Sequence, residues 1–135
     1  MKAYRMPYMG KVRKVRFYIA SYQNTGNLAI EIMVRMGPFH WEPCDMMTVN
    51  LSKQFGPEFA LIDTNHVGEE VLGWLIRKKL AIKTGWAEQS GFCMYPQVRF
   101  YMDFLKRADP EGYREHISYW EIKTDDDADA CVVVE

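Results

Sequence analysis

The sequence contains no GxGxxG, no Walker-type GxxxxGKS or GxxxxGKT, and no CxxC. Dinucleotide folds, phosphate loops and thiol-redox sites therefore have no footprint in it, because each needs backbone N–H groups or thiols at those spacings. Cysteine itself is scarce. Cys44, Cys93 and Cys131 are odd in number and unpaired in spacing, which speaks against a disulfide framework and for a reducing, cytoplasmic setting. An excess of one charge is also missing. There are 17 Lys and Arg against 18 Asp and Glu, a net charge of −1, so the molecule as a whole has no field to gather polyanions or a membrane surface. No apolar run approaches the ~18 residues of a membrane span. The start MKAYRMPYMGKVRKVRFY is basic but lacks an apolar segment and a small-residue cleavage site, so neither a membrane partner nor a secretory signal is expected.

What is present is an ordinary globular balance. With 48% apolar and 26% charged residues over 135 positions, the chain can bury one core, and a single domain over 1–135 is expected. Residues 1–10 carry Pro and Met without periodicity and read as a loose N-terminal arm. Residues 124–135, with Asp125, Asp126, Asp127 and Asp129, read as a solvated acidic tail. Between them, Val15, Phe17 and Ile19 alternate with Lys14, Arg16 and Tyr18. After the turn residues Gln23 to Asn27, Leu28, Ile30, Ile32 and Val34 alternate with Glu31 and Arg35. Two such runs joined by a short Gly-containing turn predict a β-hairpin. Pro38 to Pro43 forms an aromatic loop or edge segment, and Asp45 to Leu51 resumes alternation.

The stretch Phe59 to Tyr101 then predicts strand, helix, turn and strand. Phe59–Ile62 is a short apolar run. Val67, Val71, Trp74 and Leu75 share a helical face, with Asn65 as N-cap, acidic residues early and Arg77, Lys78 and Lys79 late, an order that suits the helix dipole. Phe92–Phe100 is the returning strand. Tyr101 to Ala108 fits either period. Asp109-Pro110 opens a last helix bearing Tyr113, Ile117 and Trp120.

Several constellations touch on chemistry. Cys93 near Asp63 and His66 supplies the residue types of a thiol nucleophile, but no family-specific signature accompanies them, and a free Cys between Phe92 and Met94 reads as a small apolar side chain. No catalytic residue is therefore expected. His40, Cys44 and Asp45 lack the second ligand pair of a zinc site, and Asp125 to Asp129 lacks the glycine and the closing glutamate of a calcium loop, so neither a metal nor a cofactor is expected. Asp63, Thr64 and Asn65 at one strand end, facing Ser90, Cys93 and Tyr95 at another, form the candidate walls of a small-ligand site. Phe39, His40 and Trp41, with Lys14 and Arg16, are candidate partner-binding residues. Basic residues beside Tyr8, Phe17 and Tyr18 also suit a nucleic-acid strand, although the net charge disfavours it and a lysine-rich edge strand accounts for the same pattern.

Asn27-Leu28-Ala29-Ile30, Thr48-Val49-Asn50-Leu51, Asp63-Thr64-Asn65 and Ser90-Gly91-Phe92-Cys93-Met94-Tyr95-Pro96 together resemble bacterial domain-of-unknown-function family 4313 over roughly Val12 to Phe104. Residues Pro38–Pro43 and those after Leu105 depart from its shorter pattern. The resemblance implies an α+β fold and an association with plasmids, conjugative elements and phages; it brings no catalytic residues. The expected fold is a bent antiparallel sheet of about five strands, with one main helix packed on it and a second, C-terminal helix. The expected function is non-enzymatic: a mobile-element protein that binds a host protein, as an anti-defence inhibitor of the anti-CRISPR kind. The alternatives are a nucleotide-binding or sequestering protein and a nucleic-acid accessory module.

Overall fold

Alternation makes the central hairpin. Val15, Phe17 and Ile19 of β2 (Lys11–Ser21) lie opposite Val34, Ile32 and Ile30 of β3 (Leu28–Gly37), and all six are buried. The computed structural model describes the backbone of residues 1–134 and the side chains of residues 1–122. In it, β1 (Tyr4–Tyr8) flanks β2 and β4 (His40–Met46) flanks β3, giving an antiparallel sheet in the order β1-β2-β3-β4. The second sheet, also antiparallel, has the order β5-β6-β8-β7, from β5 (Thr48–Val49), β6 (Phe59–Ile62), β7 (Ala81–Ser90) and β8 (Cys93–Phe100).

The α+β class is as expected, with eight strands in two sheets where about five in one were anticipated. Three strands account for the difference. The first lies in the region expected as a loose arm. Met6 and Tyr8 are fully buried in β1, and Pro7 is tolerated because β1 is an edge strand. The second is the aromatic segment, whose β4 also sits at an edge and accommodates Pro43 beside a register shift. The third is β7, an edge strand with little of its surface covered.

The helical segment divides in two. Gly68, at φ 93° and ψ 155°, separates α1 (Thr64–Val67) from α2 (Glu69–Arg77), a conformation open to glycine and disfavoured for other residues. Asn65 lies inside α1; Asp63 holds the N-cap position, without a side-chain cap bond. After α2 the chain closes with Leu80 N–H on Leu75 C=O (2.9 Å) and Lys79 N–H on Ile76 C=O (3.1 Å), the paired bonds of a Schellman ending. Its left-handed position is taken by Lys79, at φ 58°, where a residue with a Cβ costs about 1 kcal/mol relative to glycine.

Two more helices complete the chain, α3 (Met102–Ala108) and α4 (Pro110–Val134). One cluster of buried residues spans both sheets and the helices. Within it Phe17, Trp74 and Phe104, with Tyr4 packed against them, meet edge-on or tilted at centroid distances of 5.5–6.2 Å, a geometry that aromatic quadrupoles favour. Helix α4 is pinned by polar contacts. Asp109 accepts Gly112 N–H in its first turn, His116 is buried between Ser21 and Pro57, and Trp120 Nε1–H reaches Gly26 C=O at 2.9 Å. No helix among the described residues is long and apolar enough to cross a membrane. The expected acidic tail, 124–135, lies outside the residues whose side chains are described.

Candidate functional site

The outer face of the first sheet gathers charge that the sequence as a whole does not show. Because β-strand side chains alternate, the positions between the core residues of β2 and β3 point away from the core. Arg5 lies opposite Lys14, Arg16 opposite Met33, and Arg35 opposite Trp41. Lys14, Arg16, Arg35, Phe39 and Trp41 line one open groove of about 450 Å³, and among the described residues no carboxylate lines it. The Arg16 guanidinium stacks over the Trp41 ring, 4.1 Å from its centroid. Its Nε is buried and makes no hydrogen bond among the described residues. Arg35 donates to Gly37 and Pro38 carbonyls at 3.0 and 3.3 Å, which braces the β3–β4 turn. At that turn Phe39 is 99% exposed. Of the sequence-derived partner residues, Lys14, Arg16, Phe39 and Trp41 thus meet in one groove. His40 stands to the side, bonded to Glu42 at 2.8 Å.

Arg5 and Arg35 were missed as site residues. The signal was available for Arg35: the hairpin register places it on the same outward face as Lys14 and Arg16. Arg5 lay in the supposed arm and offered none.

The other candidate set is dispersed differently. Asp63 leads into α1, its backbone N–H bonded to Met47 C=O and its own C=O accepting the N–H groups of His66 and Val67. Thr64 and Asn65 are the first residues of α1. Ser90 and Cys93 face each other across the two-residue turn Gly91–Phe92, and Tyr95 lies opposite Glu88. Asp63 comes near this hairpin. The Tyr95 phenol is raised first by its hydrogen bond with the Cys93 side chain, then by desolvation and by the negative charge of its neighbours, Asp63 among them. His66 turns elsewhere, to Asp45 at 3.1 Å, and Asp45 also accepts the Tyr8 hydroxyl. Cys93 and His66 are therefore not shown as a nucleophile–base pair. Among the described residues, no three His, Cys, Asp or Glu side chains converge as metal ligands.

Two antiparallel four-stranded sheets under packed helices define an α+β domain with one basic, aromatic outer face. The chain belongs to the family described as Domain of unknown function (DUF4313), whose model matches residues 17–120. That match extends past Leu105, so much of the segment expected to depart from the family lies within it. Phe39, Trp41 and Arg35 are inside the matched range; Arg5, Lys14 and Arg16 precede it. No curated protein and no solved structure matches the chain.

Proposed function

We propose that this chain is a non-enzymatic binding protein of a mobile genetic element. On this reading it acts through the outer face of the first sheet on a host protein and blunts a defence system by direct contact. The observation that carries the reading is the Arg16–Trp41 stack, bordered by Lys14 and the fully projecting Phe39. Arginine and tryptophan dominate binding energy at protein interfaces, where a rigid aromatic anchor seats in a pocket and charges fix its orientation. Acidic surface on the partner would complement the cations. The association with plasmids, conjugative elements and phages that the family resemblance implies would supply the mobile-element setting.

A nucleic-acid strand is the second reading, favoured by one observation: Arg5, Lys14, Arg16 and Arg35 share the face with Tyr18 and Trp41. Cations flanking aromatic rings can follow a phosphodiester backbone and stack bases.

Affinity capture from host lysate distinguishes the two. The wild-type chain should retain a specific protein that Arg16→Glu and Trp41→Ala both lose, and nuclease treatment of the lysate should leave capture intact. Capture abolished by nuclease would favour the nucleic-acid reading; equal capture by wild type and both variants would exclude this face.

A further inference from the structure

A second cationic site lies where the first residues, the ending of α2 and α3 meet. Lys2, Lys79 and Arg107 come from three separate places: the first residues, the ending of α2 and the last turn of α3. They line one depression of about 350 Å³. Among the described residues, the only carboxylate lining it is Asp103. None of the three cations forms an ion pair among the described residues; Lys2 is instead held over the Tyr4 ring, at 5.3 Å. Tyr4 lines the same depression, and its phenol is raised by burial more than nearby Arg107 lowers it, so at neutral pH its hydroxyl remains a hydrogen-bond donor. Ammonium, guanidinium and phenol groups converging on one space are donors only or donor-first, the set that a phosphoryl oxygen requires.

Backbone strain points to the same place. Lys79 holds the left-handed position that closes α2, where glycine would fit without strain. A strained non-glycine residue at a cavity wall is the kind of outlier associated with binding, and Lys79 is one of the residues that line the depression. Beside it, a second depression of about 320 Å³ shares Tyr101 and Asp103 and is walled by Ile82, Phe100 and Met102 together with the Glu58–Arg99 ion pair. Tyr101 is half exposed between the two. A cationic recess next to a partly apolar one, with an aromatic ring at the boundary, has the size and division of a small-ligand site.

We infer that these paired depressions bind a nucleoside monophosphate, its phosphate among Lys2, Lys79 and Arg107 and its base against Tyr101. The site is separate from the groove at Arg16 and Trp41 and does not depend on what that groove binds.

Titration calorimetry of the full chain with AMP, GMP, CMP and UMP tests this, with adenosine and inorganic phosphate as partial ligands. At least one nucleotide should bind, and its nucleoside and inorganic phosphate should each bind about tenfold more weakly or worse. Lys79→Gly and Arg107→Gln should each reduce affinity about tenfold, the loss of one charge-assisted contact. Lys79→Gly removes the backbone strain, so its melting temperature should hold or rise, which separates lost binding from lost folding. Lys14→Glu should bind as wild type. The inference is overturned if no nucleotide gives heat at millimolar concentration, if inorganic phosphate binds as tightly as the nucleotide, or if both charge-removing variants bind unchanged.

Discussion

The carboxylate of Asp109 accepts the backbone N–H of Ile19 at 3.0 Å, across 90 positions of sequence. β1 pairs with β2 only as far as Val15, so beyond it that edge of β2 has no strand beside it. Asp109 stands in for the missing strand at Ile19. Its other oxygen accepts Gly112 N–H at 3.1 Å and so caps α4. One buried side chain therefore joins a sheet edge to a helix start. Asp109→Ala strands a buried strand donor and removes a cap; an unmet buried donor costs about 1–3 kcal/mol and a lost cap about 1 kcal/mol. Urea unfolding should show a loss of about 2–4 kcal/mol, with Asp109→Asn intermediate because its amide oxygen can satisfy one donor.

Gly112 and Gly73 should respond in opposite directions to alanine. A Cβ at Gly112 would collide with the Ile19 carbonyl oxygen and the Asp109 carboxylate, whereas at Gly73 it would meet only the Arg77 side chain, at 3.6 Å. Gly73→Ala should gain up to about 1 kcal/mol from helix propensity. Gly112→Ala should lose more than 2 kcal/mol, as overpacking against fixed backbone does. Thermal melts of the two variants check the sign.

His116 gives the fold a dependence on pH. Its Nε2 lies 2.6 Å from Pro57 C=O and its Nδ1 2.5 Å from Ser21 Oγ. A neutral ring with the proton on Nε2 satisfies both contacts, donating to the carbonyl and accepting the hydroxyl proton. Burial lowers its pKa, and the Pro57 hydrogen bond raises it by less. The unfolded chain, with an ordinary histidine pKa near 6.5, therefore takes up a proton before the folded one does. The stability is complete above that pH and declines as pH falls below it, by at most about 1.4 kcal/mol per pH unit from this group. Stability measured between pH 5 and 7 should slope in the wild type and flatten in His116→Gln, whatever its absolute stability.

Deleting residues 1–8 should unfold the protein, although the sequence reads that segment as an arm. The deletion removes the fully buried Met6 and Tyr8 and the Tyr4 ring that packs on Phe17, Trp74 and Phe104. Each large buried side chain contributes roughly 1.5–3 kcal/mol, and their sum is comparable to the whole stability of a domain. Circular dichroism and dye binding of the truncated chain read the outcome.

These cases show where local pattern carries structural information. β2 and β3 were legible because each buries one face and exposes the other, which leaves an apolar–polar alternation. β7 was not, because Ile82, Trp86 and most of its neighbours are exposed on an edge, and pairing with β8 holds the strand without an apolar rhythm. In β1 the inward Met6 and Tyr8 are separated by Pro7, which masks the period. The groove was half legible for a related reason. Lys14 and Arg16 could be placed on an outward face, but their meeting with Trp41 depends on β4 pairing with β3 through two register shifts, which only the assembled sheet decides. The second cationic site left no mark at all, since Lys2, Lys79 and Arg107 are brought together solely by tertiary packing.

The bond from Asp109 to Ile19 also has a bearing on synthesis. A growing chain can close the β2–β3 hairpin early, since its partners are neighbours in sequence. The free edge of β2 must then wait for the 90 positions that separate Ile19 from Asp109, roughly 5–20 s at ordinary elongation rates. For that interval an open strand edge is presented to the ribosome's surroundings, until the residue that covers it has been made.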